Sequence, residues 1–131
     1  MILLDTHVLV WWSNGSGELS TAAASAISEA AERNEILVSA ITFWEVALLV
    51  TKGRLVLSQG VEDWLSQIEA LPVVRTVPIS PRIALRSVLL PPPLHDDPAD
   101  RILVATALAL SVPLVTRDER LRRYDPVDTL W

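Results

Sequence analysis

The chain has no cysteine and only four glycines among its 131 residues. Without cysteine it can form neither disulfides nor thiolate zinc sites. Four glycines are too few for a loop that cradles phosphate, and Gly15-Ser16-Gly17 lacks the Gly-x-Ser-x-Gly spacing of a nucleophile elbow. The two histidines, His7 and His95, give no zinc-binding spacing. These absences exclude disulfides, thiolate zinc sites, phosphate-binding glycine loops and the nucleophile elbow.

Long hydrophobic runs are also missing. The longest, Ile102 to Val115, is too short to cross a bilayer and contains Pro113. The first residues carry no basic segment, and Asp5 interrupts their apolar run, so they do not resemble a signal peptide. We therefore expect a cytoplasmic protein that does not contact membranes.

Positive charge is scarce and nearly all of it is arginine. Lys52 is the only lysine, ten arginines complete the basic set, and the formal net charge is −5. Such a balance disfavours nonspecific binding of nucleic acid, which requires local positive charge. Five arginines nevertheless fall in the last third of the chain, where they either balance nearby acids or contact phosphate: Arg101, Arg117, Arg120, Arg122 and Arg123.

Half of the residues are hydrophobic, and the length is that of one domain, so we expect residues 1–131 to form a single domain. Short apolar runs alternate with helical patterns. This alternation predicts an α/β fold in which a mainly parallel sheet of four to five strands lies between two helix layers. The predicted strands are 2–4, 36–39, 73–77 and 114–116, with a candidate edge strand at 127–131. The predicted helices begin near residues 8, 21, 42, 61, 81 and 98, with a short one after 118.

Four carboxylates stand where these apolar elements begin or end: Asp5, Glu45, Asp100 and Asp118. Burying an acid is costly unless it is compensated, and a hard divalent cation is the usual compensation for a group of carboxylates. In parallel sheets, sites form outside the carboxyl ends of the strands. We therefore expect the four acids to meet at that edge.

Each acid also has a purely structural interpretation. Asp5 and Asp118 could cap the helices that follow them. Thr42-x-x-Glu45 matches a capping box, and in Asp97-Pro98-Ala99-Asp100 the first Asp suffices as the cap. The two histidines are interpreted as partners of loop hydrogen bonds rather than as catalytic groups. The five tryptophans are expected to lie mostly in the core, with Trp11 or Trp12 in a protein interface.

Taken in order, these segments resemble the PIN-domain ribonucleases, and most closely the VapC-type toxins of toxin–antitoxin pairs. The resemblance covers nearly the whole chain and rests on Ile2-Leu3-Leu4-Asp5-Thr6, Phe43-Trp44-Glu45, Lys52-Gly53-Arg54-Leu55, Asp97-Pro98-Ala99-Asp100-Arg101 and Leu114-Val115-Thr116-Arg117-Asp118. The bulky residue that the family usually places inside the Asp-Pro-x-Asp turn is Ala99 here.

The resemblance implies a PIN-like three-layer fold and cleavage of single-stranded RNA regions that depends on Mg²⁺ or Mn²⁺. It implies Asp5, Asp100 and Asp118 as metal ligands, Glu45 as the fourth acid and Thr116 as their support. Arg101 and Arg117 are candidate phosphate contacts. It also implies a cognate antitoxin and a homodimer as partners.

Other functions compete with this one. A PIN-like nuclease that is not a toxin, and a non-catalytic α/β binding module, both fit the fold. A phosphohydrolase with an aspartyl nucleophile usually has a second acid two residues after the first, where His7 stands. A receiver domain needs a lysine after a late strand, but the only lysine is Lys52.

Overall fold

The computed structural model describes residues 1–131 as a five-stranded parallel sheet between two layers of helices. The strands are β1 Ile2–Leu4, β2 Ile36–Ser39, β3 Val74–Val77, β4 Leu114–Val115 and β5 Thr129–Leu130. The helices are α1 Thr6–Asn14, α2 Thr21–Glu32, α3 Ala40–Thr51, α4 Val61–Glu69, α5 Pro81–Val88, α6 Pro98–Leu110 and α7 Glu119–Arg122. The α/β class and the parallel sheet are confirmed.

The strand order is β3-β2-β1-β4-β5, so the first strand of the chain lies at the centre of the sheet. Leu3 of β1 pairs with Leu37 on one side and with Leu114 on the other. All four pairings are parallel. As a result, the carboxyl ends of β1, β2 and β4 lie side by side at one edge.

Helices pack on both faces of the sheet, and the side chains of each strand alternate between the two faces. One apolar cluster contains Leu4 and Val115 of the sheet and draws buried residues from α1, α2, α3 and α4. A second contains Leu3 and Leu114 on the opposite face and draws residues from α6 and α7. This two-sided burial explains why the central strands are wholly apolar.

The start of α3 differs from the expectation. The Ser39 hydroxyl accepts a hydrogen bond from the Ile41 backbone N–H at 3.2 Å, so the helix begins at Ala40, ahead of the predicted Thr42. Thr42 is fully buried inside the first turn. The capping box of Thr42 and Glu45 is therefore wrong, and the Glu45 carboxylate is free for another role.

The tryptophans also correct an expectation, since only Trp64 is buried and Trp44 is 52% exposed. Trp11, Trp12 and Trp131 are partly buried. None of the seven helices has the length and apolar character that crossing a bilayer requires.

Candidate active site

The four acids predicted from the sequence line one cleft of about 390 Å³ at the carboxyl edge of the sheet. Asp5 follows β1, Glu45 lies in the second turn of α3, Asp100 in the first turn of α6, and Asp118 between β4 and α7. The structure thus brings together residues that are up to 113 positions apart in the sequence.

Asp5 is 8% exposed, and each of its carboxylate oxygens accepts a hydrogen bond. The Thr6 backbone N–H donates to Oδ1 at 2.7 Å, which caps α1, and the Thr116 hydroxyl donates to Oδ2 at 2.6 Å. The same Thr116 oxygen accepts a bond from the backbone N–H of Asp118 at 3.0 Å. Thr116 is completely buried and ties the acid after β1 to the acid after β4.

Asp100 is held by the residues that start α6. The Asp97 carboxylate caps the helix by accepting the Asp100 backbone N–H at 3.2 Å, and Pro98 occupies the first helical position. Asp97 also lines the cleft. The helix cap therefore leaves the Asp100 carboxylate free to face the other acids.

Burial and mutual repulsion shift the proton affinities of this group. Burial, followed by the charges of Asp5 and Asp97, raises the pKa of Asp100 to about 8. Burial also raises the pKa of Asp5 and of Glu45, although the Thr116 and Thr6 hydroxyls act against the shift at these two acids. The positive charge in this cleft is therefore too small to compensate the buried carboxyl groups.

Asp118 behaves in the opposite way because an arginine compensates it. Arg120 donates from Nε to Oδ1 at 3.2 Å and from Nη2 to Oδ2 at 2.8 Å. These bonds lower the pKa of Asp118. The same Nη2 lies 3.7 Å from Oδ2 of Asp100. Of the two roles expected for the arginines of the last third, Arg120 thus balances a nearby acid. The pattern Asp118-Glu119-Arg120 is too common at helix starts to single it out in the sequence.

His95, interpreted from the sequence as a partner of loop hydrogen bonds, is a second residue beside the four acids. Its Nε2 lies 3.2 Å from Oδ2 of Asp100, without the alignment of a hydrogen bond. Ligand atoms of His95, Asp100 and Asp118 lie within 4.8 Å of one another, which is compatible with a shared metal ion. However, Nδ1 accepts the backbone N–H of Asp97 at 3.2 Å, so the neutral ring carries its proton on Nε2. The His95 nitrogen nearest Asp100 therefore carries a hydrogen rather than a lone pair.

The donor atoms suit a hard divalent cation. Asp5, Glu45, Asp100 and Asp118 offer carboxylate oxygens, and the Thr116 hydroxyl lies nearby. The cleft contains no thiolate, and the one imidazole that lines it is that of His7 in α1. Oxygen-only donor sets favour Mg²⁺, Ca²⁺ or Mn²⁺ over softer metals. The raised pKa of Asp100 fits the same conclusion, because a cation would offset the repulsion that raises it.

The two arginines proposed as phosphate contacts behave differently. Arg117 lines the cleft, pairs with Glu18 at 2.9 Å and stacks on Trp11. Arg101 corrects the expectation: its guanidinium donates to four backbone carbonyls and does not line the cleft. The acceptors are Ser87, Val88, Leu94 and His95. Its donors are used to hold the segment between α5 and α6.

Comparisons with known proteins agree with this geometry. The PIN domain family matches residues 2–126. Ribonuclease VapC22 of Mycobacterium tuberculosis is 42% identical over 132 aligned residues, which cover 99% of this chain and 98% of the relative.

Solved structures show the same fold over nearly their whole length. A toxin–antitoxin complex from Klebsiella pneumoniae matches with a TM-score of 0.65 and 25% identity, covering 97% of this chain and 95% of the other. FitAcB from Neisseria gonorrhoeae matches with a TM-score of 0.70 and 23% identity, covering 98% and 96%. VapBC2 from Rickettsia felis, bound to a DNA fragment from its promoter, matches with 0.69 and 20%, covering 98% and 97%.

Proposed function

The chain belongs to the PIN-domain family, as a homologue of the VapC ribonucleases, and from this we propose that it is the toxin of a toxin–antitoxin pair. Its activity is the hydrolysis of phosphodiester bonds in single-stranded regions of RNA. The observation that supports this best is the convergence of Asp5, Glu45, Asp100 and Asp118 in one cleft. A non-catalytic binding module would leave this group of acids, of which Asp5 and Asp100 are buried, without a purpose.

We propose Mg²⁺ or Mn²⁺ as the cofactor, held by Asp5, Asp100 and Asp118 with Glu45 completing the site. When bound, such a cation supplies the positive charge that hydrolysis of a phosphodiester by water requires. Asp100, whose pKa is raised to about 8, must give up its proton before it can act as a ligand. Loading of the site should therefore release protons at neutral pH.

The residues around the ligands keep them in place. Thr116 fixes the position of Asp5 relative to Asp118 through one hydroxyl. Asp97 holds the start of α6, which carries Asp100, and Nε2 of His95 lies 3.2 Å from the same carboxylate. Arg117, which is half exposed at the edge of the cleft, is the arginine that remains in position to meet a substrate phosphate.

Cleavage of an unstructured, end-labelled RNA by the purified protein tests this function. We expect cleavage with Mg²⁺ or Mn²⁺ and none with EDTA. In Asp5→Asn the rate should fall at least about 100-fold, because even groups that only hydrogen-bond to metal ligands are worth roughly 10- to 100-fold. The matched control is Asp96→Asn, an exposed acid just before α6 that does not line the cleft. Equal rates for folded Asp5→Asn and the parent would contradict the assignment.

The toxin role is tested in cells. Induced expression should arrest growth, Asp5→Asn should abolish the arrest, and Asp96→Asn should preserve it. Co-expression of a cognate antitoxin, which we propose covers the acidic cleft with a basic residue near the metal site, should restore growth. Arrest that persists in Asp5→Asn would separate toxicity from the cleft.

We also propose that the chain forms a homodimer, through the outer face of α5. Leu85, Val88 and Leu89 recur at helical spacing on this face and are 63%, 73% and 67% exposed. An apolar stripe of this kind is usually covered by another surface. Light scattering after gel filtration should show a dimer that Leu89→Asp converts to a monomer, whereas Glu69→Lys at the exposed end of α4 should leave it intact. A monomeric parent protein would refute the dimer.

A further inference from the structure

One wall of the acid cleft is aromatic and cationic, and the metal site does not use it. The residues are His7, Trp11 and Arg117, which we call the aromatic rim, and all three line the same cleft as the acids. His7 lies two residues after Asp5, and Trp11 follows one helical turn later, so α1 places both beside the site.

The rim is an ordered stack. The Arg117 guanidinium carbon lies 4.3 Å from the centroid of the Trp11 ring, and its Nη1 donates to Glu18 at 2.9 Å. The His7 ring packs against the same Trp11 ring, with centroids 5.8 Å apart and planes inclined by 47°. Trp131 supports Trp11 with a centroid distance of 6.0 Å. The Glu18 pair fixes a long, half-exposed arginine against Trp11, and His7 remains exposed beside it.

Electrostatics alone gives this cleft little affinity for RNA. Five acids line it against two arginines, and the whole chain carries a net charge of −5. Arg120 is already committed to Asp118 through a two-donor contact. Stacking of bases on aromatic rings and guanidinium planes does not depend on net charge, and it requires a base that has left its own helix.

We propose that the aromatic rim is a stacking platform for the unpaired base next to the scissile phosphate. This inference rests on the proposed ribonuclease activity and adds to it the recognition of a splayed base. The rim lies in the same cleft as the acids, so a nucleotide whose phosphate reaches the acids brings its base to the rim. The cleft would then select single-stranded RNA by this base and not by phosphate charge.

A thermodynamic cycle between protein and RNA tests the platform. The cleavage position of an unstructured RNA is mapped first, and then an abasic ribose replaces each flanking nucleotide in turn. In the parent protein, one abasic position should lower kcat/KM about ten-fold, as expected for the loss of one base–aromatic stack. In Trp11→Leu the same abasic substitution should lower kcat/KM less than about two-fold, because the ring on which the base stacks is absent.

Arg117→Lys provides a second variant at an exposed position, where folding is not at risk. It keeps the charge but removes the flat guanidinium, so the abasic penalty should again shrink. The matched control is Arg122→Lys, the same exchange at an arginine outside the cleft that pairs with Glu119 at 3.0 Å. It should retain the full penalty.

The outcomes separate this inference from the function on which it rests. If RNA is cleaved and the abasic substitution lowers kcat/KM equally in the parent, Trp11→Leu and Arg117→Lys, the stacking platform is overturned. The proposed ribonuclease activity is then unaffected. The same result combined with lost antitoxin binding would assign the rim to a protein partner, which also overturns it. Absence of cleavage by the parent protein overturns both.

Discussion

Asp100 shows how strongly the cleft perturbs a single residue. It is 7% exposed and faces the charges of Asp5, Asp97 and Glu45, which together with burial raise its pKa to about 8. The carboxyl group is therefore protonated at neutral pH when no cation is bound. Its proton affinity is a direct consequence of the grouping that makes the cleft a candidate cation site.

This shift predicts a pH-dependent stability in EDTA. The pKa of this carboxyl group is higher in the folded protein than its unfolded value of 3.8. The free energy of unfolding therefore falls as pH rises from about 4, and the decrease is complete near pH 8. Asp100→Asn resembles the protonated form at every pH. We therefore expect it to unfold at a higher temperature than the parent at pH 8, by several degrees, and at nearly the same temperature at pH 4.

Thermal denaturation followed by circular dichroism across this pH range measures the difference. Asp96→Asn, the exposed neighbouring acid, should change little at either pH. If the difference in Tm between Asp100→Asn and the parent does not grow with pH, ionisation of the Asp100 carboxyl group does not destabilise the fold.

At the scale of the secondary-structure elements, three of the acids that line the cleft are also helix caps. Asp5 caps α1, Asp118 caps α7, and Asp97 caps α6 while it lines the cleft. A helix start at the carboxyl end of a strand presents free backbone N–H groups, which orient an acid's side chain. The structural and functional interpretations of these acids therefore hold together.

The connection between α5 and α6 depends on Arg101 in the same way. Its guanidinium donates to four carbonyls, at 2.8 to 3.2 Å. Arg101→Met would leave these acceptors without the charged donor, and we expect a loss of about 2 kcal/mol or more in the free energy of unfolding. Chemical denaturation measures this loss.

Arg122→Met is the control for this prediction, because Arg122 forms only a surface pair with Glu119. Arg122→Met should change the free energy of unfolding by less than about 0.5 kcal/mol. If Arg101→Met kept the stability of the parent and instead raised KM for RNA, the original interpretation of Arg101 as a phosphate contact would return.

At the scale of the whole molecule, a cation should stabilise the fold. Its two apolar clusters flank one sheet, so we expect one cooperative unfolding transition and keep the prediction that residues 1–131 form a single domain. A cation that binds only the folded state at 100 times its Kd adds about 2.7 kcal/mol. For a chain of this size we expect Mg²⁺ or Mn²⁺ to raise the Tm by roughly 5–10 °C at pH 7.

Differential scanning fluorimetry with increasing metal checks this expectation. Asp5→Asn should lose most of the increase, and Asp96→Asn should keep it. A Tm that stays constant up to millimolar metal in the parent protein would argue against a preformed cation site.

The sequence by itself determined the fold class, the strand positions and the four acids. Apolar runs such as Ile2–Leu4 and acids at their ends are local patterns, and parallel topology brings the ends of such strands together. The start of α3 was misplaced because Ser39 and Thr42 are both competent caps, and only the backbone geometry decides between them.

Tertiary structure alone decided how the acids are compensated. Arg101 and Arg117 look equivalent in the sequence, yet one holds backbone carbonyls and the other stacks on Trp11 at the cleft. The contact of Arg120 with Asp100 likewise joins two separate helices, α7 and α6. Directions of long side chains depend on neighbours that are distant in the sequence, and no local pattern records them.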